Sequence, residues 1–266
     1  MLFLFFTACA DVREFNDDDY ELIVSDYQHD VLVLFPCNNE HTKAEAAFLK
    51  DIRQEGITTL LLDYNRKLWL SESEKHSLSE RIIQILDSNK VVNENIYLKG
   101  FSGGGNSSFL LANYLKKTIS KINVNGVLVV DAPLDLERLY LNSKVESVNS
   151  IHESSYSESI FVINLIESNL GNPANHIDNF RKLAPFLISS HDPESFSGLA
   201  DLKILLFTEP ALDWQQSQRN RVYENTNAFT LEKVYHSLIV AGHRNIQFTQ
   251  TENKGFNSRG KRHPHS

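Results

Sequence analysis

The five residues Gly100-Phe101-Ser102-Gly103-Gly104 constrain this chain more than any others, because of what flanks them. Asn95-Ile96-Tyr97-Leu98-Lys99 reads as a strand, and Ser107 to Leu115 reads as a helix. A backbone that passes from strand to helix in so few residues turns tightly enough that side chains at the flanking positions would collide with one element or the other. Glycines are therefore needed around the serine, which takes a strained conformation and is pushed towards solvent. The following helix aims unsatisfied N–H groups and the positive end of its dipole at whatever the serine meets. The pattern predicts a nucleophile elbow with Ser102 at its apex. Two rival readings are weaker. A flexible loop leaves the flanking strand and helix unexplained, and a phosphate cradle would need the Lys-Ser/Thr ending of a P-loop or a G-x-G-x-x-G run with a later acidic ribose ligand.

The rest of the chain supplies a frame for such a turn. A strand is expected at Glu21–Ser25, and Val31-Leu32-Val33-Leu34-Phe35 is a continuous apolar run that suits a strand buried on both faces. A helix over about 42–54, closed by Gly56, leads to a strand at 57–62. A second helix over about 73–87 precedes the elbow strand. Further strands are expected at 127–130, 203–207 and 245–249, with a helix over about 228–241 before the last. Between about 134 and 200 no strand recurs. Helical patches there, 160–168 and 177–187, point to an inserted cap over the strand ends. Alternating strands and helices imply a three-layer α/β/α sandwich around a mainly parallel sheet, whose ligands bind at the carboxyl ends of the strands. Ser102, Asp131, Glu209, Asp213 and Pro36-Cys37-Asn38 all follow an apolar strand directly.

Composition narrows the partners. With 266 residues and 41% hydrophobic content, one substantial core is expected, and no linker divides the chain. A formal charge of −8 argues against a nucleic-acid partner, which would require a basic face. Arg259, Lys261 and Arg262 form the only basic cluster near an end and read as a solvated tail. The two cysteines, Cys9 and Cys37, make no disulfide framework. Met1 to Phe6 is apolar and is followed by Thr7-Ala8-Cys9-Ala10 and then acidic, polar sequence, a pattern similar to the end of a bacterial lipoprotein signal with Cys9 as the lipidated residue. Residues 1–20 are accordingly read as a signal-like segment and acidic linker, and 21–266 as the folded domain. That reading implies a lipid-anchored envelope protein; a short N-terminal strand in a cytoplasmic protein is the alternative.

The elbow, the strand series and the chain order serine, acid, histidine together resemble the α/β-hydrolase family over roughly residues 21–266. The resemblance implies a serine hydrolase acting on a carboxylic ester or amide of a small molecule or peptide, by an acyl-enzyme route and with no metal or organic cofactor. It places the acid after the strand that follows the cap, where Asp213 is preferred over Glu209 because it lies a few residues beyond the strand end; Asp131, before the cap, ranks third. It places the base after the last strand, where only His263 and His265 occur, and His265 is preferred because Pro264 can fix the turn that presents it. His236 and His243 precede that strand and read as packing or surface residues. The oxyanion hole would combine the N–H of Gly103 with that of Cys37 or Asn38. Because the base sits at the extreme end of the sequence, a second reading is a catalytically silent scaffold that binds a ligand or partner at the cell envelope.

Overall fold

The structure is a computed structural model, and it describes residues 13–16, 19–25, 29–36, 43–64, 67–92, 94–118, 121–190, 193–256, 260 and 262, with backbone alone at 43–47 and 193–195. Eight strands form one sheet: β1 (Arg13–Asn16), β2 (Tyr20–Val24), β3 (Asp30–Phe35), β4 (Ile57–Leu62), β5 (Ile96–Phe101), β6 (Val124–Val130), β7 (Lys203–Thr208) and β8 (Ile246–Gln250). The order across the sheet is β1-β2-β4-β3-β5-β6-β7-β8. β1 and β2 join antiparallel at one edge, and β4, β3, β5, β6, β7 and β8 run parallel. The helices are α1 (Lys43–Gln54), α2 (Glu72–Ser88), α3 (Gly103–Lys117), α4 (Leu136–Asn149), α5 (Glu153–Asn169), α6 (Pro173–Leu183), α7 (Leu212–Arg219) and α8 (Asn227–Val240).

Continuous apolar strands occupy the middle of the sheet because crossover helices cover both faces there, so alternation with polar residues is lost. Val31, Val33, Leu60, Ile96, Leu98, Val124 and Val129 are all fully enclosed. Helix starts follow local chemistry where the sequence provides it. α2 opens with a capping box in which the Ser71 hydroxyl accepts from the Glu74 N–H and the Glu74 carboxylate accepts from the Ser71 N–H. Asp135 caps α4 by accepting from the Arg138 N–H, and its other oxygen accepts from the Ile188 N–H at 2.8 Å, which ties the start of α4 to the chain that leaves α6.

The insertion divides by packing. α4, α5 and α6 share their own apolar cluster, including Leu136, Tyr140, Val162, Ile166 and Phe180. Phe186, Phe196 and Leu199, later in the same insertion, instead join the main core, with Phe196 edge-on to Phe109 of α3. Three elements depart from expectation. The sheet begins at Arg13, inside the segment read as an acidic linker, because Arg13–Asn16 pairs along β2. α3 starts at Gly103 rather than Ser107. The stretch 212–219, where no helix is expected, is helical. Among the described residues no helix is long and apolar enough to cross a membrane.

Candidate active site

The elbow is built by steric exclusion. Ser102 has φ 53° and ψ −125°, a left-handed conformation rarely adopted by a residue with a side chain and one that costs on the order of 1–3 kcal/mol. Its surroundings over-determine that geometry. The Ser102 N–H donates to the Val130 carbonyl at 2.9 Å, and the Gly105 N–H donates to the Ser102 carbonyl at 2.9 Å. A Cβ at Gly100 would lie 2.0 Å from the Gly104 carbonyl oxygen, and one at Gly104 would lie 2.0 Å from the Phe35 carbonyl oxygen. The bare backbone at these positions lets α3 begin directly against the ends of β3 and β5, which explains why its glycine-rich first turn is helical despite poor propensity. Gly103, the oxyanion-hole candidate, opens the helix, where N–H groups have no intrahelical acceptor. One turn on, the fully buried Asn106 donates to the Leu68 and Pro133 carbonyls at 2.9 and 3.0 Å, tying the loops after β4 and β6 to the elbow helix.

One and two strands along the carboxyl edge stand two buried carboxylates, Asp131 and Glu209. Asp131 follows β6 with φ 43°, its N–H donating to the Phe207 carbonyl at 2.8 Å. The Thr208 hydroxyl donates to its carboxylate at 2.7 Å, and Asn227 donates to its main-chain carbonyl at 2.9 Å. Burial pushes the Asp131 carboxyl up to about 7, against the opposing pull of Thr208, Asn227, Arg221 and Arg219. Glu209 follows β7 and reaches the segment after β8. Its Oε2 accepts from the Thr251 hydroxyl at 2.9 Å and from the Lys254 and Gly255 N–H groups at 2.7 and 3.1 Å, while its Oε1 pairs with Arg262 at 2.5 Å. Burial raises the Glu209 carboxyl, but these donors outweigh it and hold the group below the ordinary carboxylate range. Asp131 and Glu209 face one polar cavity of about 20 Å³, room for a water molecule, that is also lined by Gln215, Arg221, Thr226 and Asn227. The Gln215 side-chain oxygen is buried there with no hydrogen-bond partner.

Helices α4 and α5 are fastened to the segment 219–224, whose Arg221 lines the same cavity. Arg221 pairs with Glu146 of α4, whose carboxylate also accepts from Ser159 of α5 at 3.1 Å. Arg219 pairs with Glu158 of α5 at 3.1 Å, and Arg138 of α4 donates to the Glu224 carbonyl at 2.8 Å.

The sequence-derived candidates thus fall into three groups. Ser102, Gly103 and Glu209 lie at the carboxyl ends of their strands, with Asp131 between the serine and the glutamate in strand order. Asp213 lies in the first turn of α7 with an exposed side chain, and it does not line the cavity shared by Asp131 and Glu209. Cys9, Cys37, Asn38, His263 and His265 lie outside the described residues. His236 is exposed on α8, and His243 is buried just before β8, where burial lowers its pKa. Among the described residues, no histidine follows β8, and no cluster of three His, Cys, Asp or Glu residues is placed to hold a metal ion. The largest correction is Arg262. Read as part of a solvated tail, it is 12% exposed and bound to Glu209. No local sequence signal marks that contact, since the partners are separated by α7, α8 and β8.

Strand order, antiparallel first edge and serine elbow after β5 define an α/β-hydrolase fold. No family model matches the chain, and no curated protein matches it in sequence. Solved structures do match. An acylaminoacyl peptidase from Pyrococcus horikoshii superposes with a TM-score of 0.57 at 13% identity, over 91% of this chain and 36% of that one. An esterase from Rhizomucor miehei gives a TM-score of 0.58 at 14% identity, over 91% and 73%. Carboxyl esterase 2 from Tuber melanosporum gives 0.56 at 12% identity, over 87% and 70%. The chain therefore spans little more than a third of the peptidase and about seven tenths of the esterases, and at these identities the likeness is one of fold.

Proposed function

We propose that this protein is a serine hydrolase that cleaves a carboxylic ester or amide of a small-molecule or peptide substrate through an acyl-enzyme intermediate. The observation that supports this reading is Ser102, a serine only 7% exposed and held at φ 53° on the strand-to-helix turn between β5 and α3, the conformation expected of a nucleophile elbow. In this reading Ser102 attacks the substrate carbonyl, and the N–H of Gly103, with that of Cys37 or Asn38, receives the developing oxyanion. Glu209 is the orienting acid in preference to Asp213, because it is buried, ionised and directed at the segment after β8, whereas Asp213 faces solvent. A tail histidine, His263 or His265, takes the serine proton and returns it to the leaving group. Lipidation at Cys9 would anchor the enzyme to the cell envelope. The esterases and the peptidase of like fold agree with the reaction class.

Labelling of purified protein with a fluorophosphonate tests the reading. Covalent capture that disappears in Ser102→Ala is the expected result. A folded wild-type protein that is not captured at all would overturn it. The silent-scaffold alternative rests on one specific observation: Glu209 Oε1, the carboxylate oxygen left open by the three donors of the 251–255 segment, is held by an arginine rather than an imidazole.

A further inference from the structure

The polar cavity at the ends of β6 and β7 has no part in the reaction proposed for Ser102, and its geometry stands whether or not that serine is a nucleophile. We propose that the cavity is a binding site for one water molecule, which donates to the Gln215 side-chain oxygen and links α7 to Asp131 and Arg221. Three observations carry this. The first is size: at about 20 Å³ the cavity has room for one water and little else. The second is Gln215, which lines the cavity and is only 4% exposed. Its side-chain oxygen is buried and finds no hydrogen-bond partner among the described residues. Buried polar atoms in folded proteins are nearly always satisfied, by ordered water where the chain supplies no donor. The third is the wall. Asp131, Arg221, Thr226 and Asn227 present polar groups on the other sides, and a buried water makes about three hydrogen bonds.

Charge decides between water and an ion. Glu209 pairs with Arg262, and Arg221 pairs with Glu146. Asp131, the other carboxyl at the cavity, is pushed by burial towards its neutral form. A metal cation would meet the Arg221 guanidinium with each of these ionised carboxylates already paired, and an anion would meet the oxygens of Glu209 and Gln215. Water accepts from Arg221 and donates to Gln215 without adding a charge. Its second proton suits Asp131, whose oxygens accept from Thr208 at 2.7 Å and from Asn227 at 3.5 Å and have lone pairs for about four donors in all. Because Arg221 also reaches Glu146 of α4, the water joins the end of β6 to the segment that fastens that helix.

A high-resolution crystal structure of the full chain tests the site. One isolated density peak is expected, about 2.7–3.2 Å from Gln215 Oε1 and from a polar atom of Asp131 or Arg221. Gln215→Glu keeps an acceptor and should retain the peak. Gln215→Met keeps the length of the side chain without the acceptor and should lose it. In solution, oxygen-17 relaxation dispersion should count one long-lived internal water fewer in Gln215→Met than in wild type. A wild-type cavity without density, or a peak that persists at full occupancy in Gln215→Met, would overturn the proposal. So would a peak held at about 2.4 Å by oxygens alone, or an anomalous signal there after exchange into rubidium chloride, since either marks a metal cation. Absent fluorophosphonate capture beside the expected peak would remove the hydrolase and retain the water site.

Discussion

The two halves of the carboxyl edge are made in different ways. The serine half is five consecutive residues shaped by backbone sterics: Ser102 is strained because Gly100 and Gly104 let two main chains approach where a Cβ would lie 2.0 Å from a carbonyl oxygen. The acid half draws on the ends of β6 and β7, the segment 215–227, the turn after β8 and a residue near the end of the chain, joined only by side-chain hydrogen bonds and charge. Geometry in the first half is imposed by exclusion and tolerates no side chain. In the second it is imposed by mutual compensation, and it fails when one charge loses its partner.

The largest expected effect breaks the first half. In Gly104→Ala the new methyl meets the Phe35 main chain, which cannot rotate away as a side chain could. A loss of more than about 3 kcal/mol in urea unfolding is expected, together with loss of fluorophosphonate capture. Gly242→Ala is the control. It places a methyl in open space at φ 91°, so only the backbone conformation resists it, at about 1–2 kcal/mol. Equal losses in the two variants would mean that the elbow is not held by steric exclusion.

The next effect separates the two acids. Glu209→Gln removes the charge that Arg262 and three further donors surround, and should cost about 2–4 kcal/mol while reducing the capture rate by at least about 100-fold. Asp213→Asn, on an exposed first turn, should change stability by less than about 0.5 kcal/mol and leave capture unchanged. The reverse pattern would return the acid role to Asp213.

This contrast also explains what could be read from the residues alone. The strand-to-helix turn at Ser102, the parallel core strands and the helices between β6 and β7 were legible because each is written in a contiguous stretch: glycines around a serine, apolar runs at β3 and β4, helical patches between β6 and β7. α3 was placed late because Gly103 to Asn106 have poor helix propensity, and packing beneath Phe35 overrides it. Arg13–Asn16 escaped notice because a short, polar edge strand lacks the alternation that marks a half-buried one. Distance from the strand end favours Asp213 over Glu209 only where the segment after β7 is irregular. The short helix α7 instead turns Asp213 outwards and leaves Glu209 facing inwards. The union of Glu209 with Arg262, and the strain at Asp131, depend on contacts between distant segments and leave no periodicity to detect.

The smallest effect sharpens the comparison within the acid half, where two carboxylates of one cavity should respond to pH in opposite directions. The Asp131 carboxyl is raised from 3.8 to about 7, so between those values the folded protein holds a proton that the unfolded chain has lost. Its contribution to stability is complete below about 3.8 and is lost as pH rises through about 7. Glu209, held low by its donors, contributes above the ordinary carboxylate range and loses that contribution as pH falls through its folded value. Asparagine at 131 keeps an acceptor for the Thr208 hydroxyl but cannot titrate. The stability of wild type relative to Asp131→Asn, measured by urea unfolding from pH 4 to pH 8, should therefore decline with pH and level off above about 7. A difference that rises over the same range would mean that Arg221 and Arg219 outweigh burial, so that the cavity holds two ionised carboxylates rather than one carboxylate beside a carboxylic acid.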